Sequence, residues 1–313
     1  MGGRRQPRSP EDTVLIRLCP SCQVEIPSED RFCEDCGTRL EAPPSAPPAC
    51  PKCGAKPEEI DTDGYCESCG FRRIADRRDH IEVSIAPGFE GASDRGLRHH
   101  RNEDALAMDV VDDAHIVVIC DGVSSTEDAD KASEAAAEAA FRSLVQSVES
   151  GHETRRTALM AAIAKASNAV IAQGTAATTV VVAVERAGLV DIAWLGDSRA
   201  YWIPRQGPAL RLTEDHTESP DSHVITKWLG VDAPEDQVAS TARFTIPGDG
   251  WLLLCTDGLW NYLPDPAEAI QAGAGVRDLI AYANNAGGQD NITAALWSPP
   301  LPSKTAIVPE PPA

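Results

Sequence analysis

Val117-Val118-Ile119-Cys120-Asp121-Gly122-Val123-Ser124-Ser125 is a run of strand formers that stops abruptly at an Asp-Gly pair. Its apolar residues, mostly β-branched, read as a buried strand that delivers a carboxylate to a turn. The same grammar returns as Trp251-Leu252-Leu253-Leu254-Cys255-Thr256-Asp257-Gly258-Leu259-Trp260. Asp-Gly is also the commonest hairpin signal, so either copy alone marks no more than a strand exit. Two such exits, each beside a Gly that lets backbone come close, suggest a pair of carboxylates serving a hard cation. Cys120 and Cys255, inside the strands, read as small buried apolar residues.

Three further acidic clusters strengthen that reading. Arg101-Asn102-Glu103-Asp104 precedes a strand, Gly196-Asp197-Ser198-Arg199 interrupts one, and Gln289-Asp290-Asn291 opens the last. Each sets a carboxylate at the rim of a β-element, where several can converge across a twisted sheet. Oxygen-preferring Mg²⁺ or Mn²⁺ suits such a cage. Two such ions can deprotonate a bridging water and clamp phosphoryl oxygens during in-line displacement.

The charge balance fits. Net charge is −20, which argues against nucleic acid or an anionic membrane as partner. An anionic substrate would need local cations, and divalent ions make an anion site inside an acidic protein. No apolar run approaches the roughly 20 residues that span a bilayer, and no secretory segment is present, so the expectation is a soluble cytoplasmic protein.

The 313 residues allow about two unequal domains. Aromatics are only 5%, so the core must be built from Val, Ile, Leu and Ala. Strands are expected at Ile81–Ala86, Ala105–Val111, His115–Cys120, Thr178–Glu185, Leu189–Leu195, Ala200–Ile203, Ala209–Leu212, Arg243–Ile246, Trp251–Cys255 and Asn291–Trp297. Helices are expected at Ala132–Val148, capped by Gly151, and at Thr157–Ala172, Pro266–Gln271 and Val276–Asn284. Arg186-Ala187-Gly188 reads as a hairpin. Runs of strands with paired helices indicate an α+β fold of antiparallel sheet covered by helices, not a repeating βαβ barrel.

The N-terminal region carries a duplication: Cys19-x-x-Cys22 with Cys33-x-x-Cys36, then Cys50-x-x-Cys53 with Cys66-x-x-Cys69. Each C-x-x-C turn presents two thiolates on one tetrahedral edge, and two turns close a Cys₄ shell around Zn²⁺. Disulfides would need an oxidising compartment for which there is no signal, and redox C-x-x-C pairs normally come singly. Two structural Zn²⁺ are therefore expected, supplying most of the folding free energy of modules with little apolar material. The arrangement resembles the double zinc ribbon attached to many bacterial proteins, which implies an adaptor role with a protein partner.

The organisation expected is a disordered stretch 1–14, ribbons at 15–40 and 49–72 around a Pro-rich linker 41–48, a linker 73–80, a main domain 81–298 and a disordered Pro-rich tail 299–313.

Taken in order, the motifs of the main domain resemble the metal-dependent type 2C protein serine/threonine phosphatases. They are Ser93-Asp94-Arg95-Gly96, Asn102-Glu103-Asp104, Ile119-Cys120-Asp121-Gly122, Gly174-Thr175-Ala176-Ala177-Thr178-Thr179, Leu195-Gly196-Asp197-Ser198-Arg199-Ala200 and Leu212-Thr213-Glu214-Asp215-His216. Ile225-Thr226-Lys227-Trp228-Leu229-Gly230, Cys255-Thr256-Asp257-Gly258-Leu259-Trp260 and Asp290-Asn291-Ile292-Thr293 complete the set. The resemblance, over about Ile81 to Trp297, implies a four-layer α-β-β-α sandwich preceded by the two ribbons. It implies hydrolysis of phosphoserine and phosphothreonine by direct attack of a water bridging two Mn²⁺ or Mg²⁺. Asp121 would bridge the metals, the Gly122 carbonyl would hold one, and Asp257 and Asp290 would complete the other shell. Glu103 and Asp104 would order waters, and Asp197 with Asp257 would form a weaker third-metal site. Thr178 and Thr179 would orient the sheet edge. The implied substrate is a phosphorylated protein, the product of a bacterial serine/threonine kinase, and the enzyme a monomer.

Three departures stand out. The family's phosphate-binding Arg, four residues before the Glu of the first motif, is His99 here, with Arg98 and Arg101 as alternative phosphate binders. Val123 replaces the His proposed as general acid in animal members, leaving metal-bound water or His216, the latter better read as structural. Only Thr217–Val224 stands where the family inserts a longer flap. A pseudo-phosphatase that holds phosphopeptide with little turnover is the competing expectation.

Overall fold

The computed structural model describes residues 16–18, 21–22, 24–27, 36, 49–50, 53–59, 66–69, 77–151, 155–219 and 222–299. The expected disordered stretch 1–14, the linker 41–48 and all but the first residue of the tail 299–313 lie outside them. By contacts the chain divides into Met1–Ile74 and Ala75–Ala313.

In the first unit, strands Ile16–Leu18 and Glu25–Pro27 pair antiparallel. In the second, two antiparallel sheets carry the fold. One has five strands, in the order Ser240–Thr245, Leu189–Leu195, Val180–Arg186, Ala114–Asp121, Asp104–Val111. The other has six, in the order Leu210–Arg211, Arg199–Pro204, Gly250–Cys255, Ile292–Trp297, Phe89–Asp94, His80–Ala86.

The side-chain period of two explains the layering, because strands buried on both faces feed a different core from each face. Ile116, Val118 and Cys120 join a core with Ala132, Ala136, Ala140 and Leu159 of the helices Ala129–Ser150 and Arg155–Ile171. Val117 and Ile119, pointing the other way, meet Leu252, Leu254, Ala295 and Trp297 between the sheets. Leu253, Cys255, Ala294 and Leu296 then face Leu279, Ile280 and Ala283 of the helix Val276–Ala286. The order is helices, sheet, sheet, helices: the expected α-β-β-α sandwich. Among the described residues no helix is long and apolar enough to cross a membrane.

Local signals worked where the backbone obeyed its own chemistry. Gly151 closes its helix in the left-handed conformation at φ 61°, its N–H on the Ser147 carbonyl. The 186–188 turn is a hairpin with Ala187 and Gly188 at φ 54° and 80°, as a type I′ turn requires.

Two elements differ from expectation. Phe89–Asp94 is a central strand, paired with Ile292–Trp297 on one side and His80–Ala86 on the other. Its sequence Phe-Glu-Gly-Ala-Ser-Asp holds residues depleted in strands, so propensity hides it. Tertiary fit selects Gly91, whose Cβ would lie 2.5 Å from Met108 Sδ and 2.6 Å from Leu106 Cδ2. Asp257-Gly258 is also not a turn; it opens the short helix Asp257–Trp260. A helix start favours an acidic side chain, by its free N–H groups and dipole.

Candidate active site and metal centres

Cys50, Cys53, Cys66 and Cys69 bring four sulfurs together, all within 4.8 Å of one another. Cys50 and Cys69 are 3.7 Å apart and Cys53 and Cys66 3.6 Å. A tetrahedral zinc shell with bonds of about 2.3 Å has S–S edges of about 3.8 Å, and disulfide sulfurs would stand about 2.05 Å apart. Gly54, at φ 76°, turns the first knuckle and donates to the Cys50 carbonyl at 2.8 Å. The tetrad therefore fits Zn²⁺. In the first ribbon Cys22 and Cys36 are described, while Cys19 and Cys33 lie outside the described residues.

The acidic site is built on the register of the five-stranded sheet. Asp104 and Asp121 are paired residues on adjacent strands, so their side chains share one face. Thr178 Oγ1 donates to the Asp121 carbonyl at 2.8 Å and the Thr179 N–H to the same oxygen at 2.8 Å. Thr179 is buried, its hydroxyl accepting from the Asp121 N–H at 3.3 Å and lying 3.1 Å from Ser198 Oγ. Both threonines hold the Asp121 backbone and are committed to it. Gly122 leaves no room for a side chain: a Cβ there would lie 2.6 Å from the Glu103 carbonyl oxygen and 2.7 Å from that of Ala129. A Cβ on Gly258 would lie 1.9 Å from the Asn291 carbonyl oxygen, so the second Asp-Gly is packed as tightly against the strand that follows Asp290.

A buried polar relay fixes Asp104. Asn102 Nδ2 donates to Ser93 Oγ at 2.8 Å, which lies 2.6 Å from Thr293 Oγ1. Thr293 Oγ1 donates to Asp104 Oδ2 at 2.7 Å, so the Ser93 hydroxyl proton points to Thr293. Thr256 Oγ1, at a position where a hydroxyl would ordinarily cap its helix, donates instead to Asp104 Oδ2 at 3.0 Å. Asn291 does the equivalent for the neighbouring loop, accepting from the Glu103 N–H at 2.7 Å and donating to the carbonyls of Arg95 and Arg101 at 2.8 and 3.0 Å. The motifs contained Asn102, Ser93, Thr293 and Asn291, but their part in the site was not read from sequence; small polar residues alternating into a buried strand were the available signal.

The other Asp104 oxygen, Oδ1, is buried without a hydrogen-bond partner. An orphaned carboxylate oxygen costs several kcal/mol unless a proton or a cation meets it. Burial, then the field of Asp290, raises the Asp104 pKa to about 7, against the hydrogen bonds from Thr293 and Thr256. Burial, then Asp104, Asp257, Asp290 and Asp197 in turn, pushes Asp121 well above the carboxylate range. Burial, Asp290 and Asp197 do the same to Asp257. Burial brings Asp197 up to about 6. Five predicted carboxylates thus lie in one another's fields, and the oxygen-only donor set, the orphaned oxygen and the two glycine cradles fit hard divalent cations. Among the described residues, though, these carboxylates are not drawn into a group as tight as the cysteine tetrad.

The remaining predicted residues have separate partners. The Glu103 carboxylate accepts from the Ser124 hydroxyl, two residues beyond Gly122. His99 Nε2 lies 3.2 Å from Asp290 Oδ1. Arg101 pairs with Asp130 at 3.1 Å. Arg98 is exposed. His216 accepts from the Gly196 N–H at 3.1 Å through Nδ1, so its Nε2 donates to Ser240 Oγ at 2.9 Å. Burial pushes its pKa down to about 4, and it stacks on Trp194 at 6.0 Å; it is a neutral structural histidine. Cys120 and Cys255 are buried, and burial raises both thiol pKa values.

A pH dependence follows. Asp104 and Asp197 are ordinary carboxyls near 3.8 when unfolded and titrate near 7 and 6 when folded. Between those values the folded state binds protons that the unfolded state has lost, so stability falls as pH rises. Protein freed of Mn²⁺ and Mg²⁺ is expected to be more stable at pH 5 than at pH 8 by a few kcal/mol. Urea unfolding of the second unit at both pH values measures it, and saturating Mn²⁺ should remove most of the difference.

The chain matches the Protein phosphatase 2C family over residues 95–296 and the Double zinc ribbon over residues 19–70. It belongs to the protein phosphatase 2C family, the class of metal-dependent serine/threonine phosphatases, with a double zinc ribbon at its N-terminal side. Curated proteins give no match. Among solved structures, the serine/threonine phosphatase PstP/Ppp of Mycobacterium tuberculosis has 22% identity and a TM-score of 0.53, over 71% of this chain and 100% of that one. Stp1 of Staphylococcus aureus has 21% identity and a TM-score of 0.58, over 72% and 99%. PppA of Pseudomonas aeruginosa has 24% and 0.54, over 69% and 98%. At these identities the likeness concerns the fold.

Proposed function

We propose that the chain hydrolyses phosphoserine and phosphothreonine in proteins phosphorylated by a bacterial serine/threonine kinase, at a site holding two Mn²⁺ or Mg²⁺, with a weaker third near Asp197. The observation that carries this is the Asp104–Asp121 pair: a buried and a half-buried carboxylate on one sheet face, one Asp104 oxygen unpartnered, in the field of three further aspartates. Asp121, the Gly122 carbonyl, Asp257 and Asp290 would hold the ions, with Asp197 and Asp257 serving the third. When bound, the ions lower the pKa of water and neutralise the phosphoryl oxygens. Asp104, fixed by Thr293 and Thr256, and Glu103, fixed by Ser124, orient water at the site.

The reaction is direct hydrolysis: water oxygen bonds to phosphorus, the bond to the serine or threonine oxygen breaks, and that oxygen leaves with a proton. Thr178, Thr179 and Cys120, beside Asp121, are buried and not poised to become phosphorylated. Of the three candidate phosphate binders, Arg101 pairs with Asp130 and His99 faces Asp290, so exposed Arg98 is the one we assign to substrate phosphate. The ribbons hold one Zn²⁺ each and serve as an adaptor for a protein partner, since a closed Cys₄ shell leaves no position for catalysis.

The test is hydrolysis of p-nitrophenyl phosphate by the full chain. Turnover is expected only with Mn²⁺ or Mg²⁺ and is expected to be lost in Asp257→Ala. No turnover with Mn²⁺, or unchanged turnover in that variant, contradicts the reading and favours a phosphopeptide-binding module.

A further inference from the structure

A groove of about 350 Å³ opens beside the Gly122 turn, lined by Val123, Ala177, Val224, Ile225, Trp228 and Val231 among others. Its walls are tied to the strand that seats Asp121. The Val123 N–H donates to the Ala177 carbonyl at 2.9 Å. Ala177 and Thr178 pair with Gly230 and Leu229, and Thr178 in turn donates to the Asp121 carbonyl. The far wall is held as firmly: the Gln237 side chain donates to the Trp228 carbonyl at 2.6 Å and accepts from the Trp228 N–H at 3.3 Å. On the flap side Thr217 bridges to Ile225, and the Thr226 N–H donates to the His216 carbonyl at 2.7 Å.

The larger part of the groove's lining is apolar. Val224 and Val231 are both exposed large hydrophobics, and exposed apolar surface that continues into a site marks recognition. Val123, on the groove wall, is the residue after Gly122, so the groove begins one residue from the carbonyl assigned to a metal ion. Ser125, Thr126, Thr175, His223 and Asp232 are the polar residues on its lining, and Asp232 repels an acidic side chain.

From this continuity and charge we infer that the groove selects substrates with a branched aliphatic residue immediately flanking the phosphorylated serine or threonine. The inference rests on the phosphatase reading and names the substrate class within it. A small aryl phosphate carries no flanking residue to enter the groove, so its turnover is expected to report the metal site alone.

The experiment compares phosphopeptides identical except for Leu, Ala or Asp beside the phosphoresidue, with p-nitrophenyl phosphate as control, on the full chain with Mn²⁺. The Leu peptide is expected to exceed the Ala peptide about tenfold in kcat/KM, the size of effect a few buried methylenes give, and the Asp peptide is expected to be slowest. Val224→Asp and Val231→Asp, both at exposed positions, are expected to abolish the Leu preference and leave p-nitrophenyl phosphate turnover unchanged. Equal rates for Leu and Asp peptides, or variants that slow both substrate types equally, overturn the proposal. So does a wild-type dimer dissolved by Val224→Asp, which would assign the groove to a second copy. Should no substrate turn over, the phosphatase reading fails, and peptide binding by fluorescence anisotropy still decides: tighter Leu binding supports the groove, equal affinities overturn it.

Discussion

Asp121→Asn is expected to abolish metal-dependent turnover and, at the same time, to stabilise the metal-free protein. The loss should be about a thousandfold or more, at or above the effect of removing one preorganised electrostatic donor, because Asp121 is assigned to both ions. The gain has a separate cause. Asp121 is a half-buried carboxylate in the fields of Asp104, Asp257, Asp290 and Asp197, so charge removal relieves repulsion and desolvation together. The new amide can also donate to Asp104 Oδ1, which is otherwise buried without a partner. A gain of about 1–3 kcal/mol is expected, raising the melting temperature of a unit of this size by roughly 2–10 °C. Saturating Mn²⁺ should reverse the order, since a ligand that binds only the folded wild type stabilises it by mass action. Thermal melts with and without Mn²⁺ measure both signs; an apo variant less stable than apo wild type contradicts the electrostatic account.

Cys66→Ser is expected to produce the second large effect, confined to the first unit. Structural zinc contributes roughly 10–16 kcal/mol to the folding of such modules, and Cys66 supplies one of four sulfurs lying within 4.8 Å of one another. Elemental analysis should show about one zinc ion fewer per chain, and hydrogen exchange should show residues 53–59 and 66–69 losing protection. The second unit has its own three cores, so p-nitrophenyl phosphate turnover should stay within about twofold, the spread expected of independent sites. Unchanged zinc content, or turnover falling with the zinc, contradicts a purely structural shell.

What the sequence made legible follows from which interactions are local. The Val117–Asp121 and Leu252–Cys255 runs announced strands buried on both faces, and both are. The Cys-x-x-Cys spacing announced a tetrahedral edge, and the second tetrad forms one. Phe89–Asp94 is hidden because its Gly91 is selected by Met108 and Leu106, on another strand, and its Ser93 by Thr293 and Asn102. Asp257-Gly258 looked like a turn because the same dipeptide opens turns and helices, and only the Asn291 backbone across from it separates the two. The relay from Asn102 through Ser93 and Thr293 to Asp104 spans about two hundred residues of sequence, and no periodicity reports it. Likewise the pairing of Arg101 with Asp130, on a helix, is not legible in the sequence.

The aspartate cluster is proposed as a divalent-metal site for phosphoester hydrolysis. One titration of Mn²⁺ into the full chain, freed of Mn²⁺ and Mg²⁺ and followed in both melting temperature and turnover of p-nitrophenyl phosphate, tests it most directly. Both signals should rise together from a metal-free baseline and saturate, and neither should respond in Asp121→Asn. Turnover at full rate without divalent metal, or a melting temperature indifferent to Mn²⁺, would contradict it.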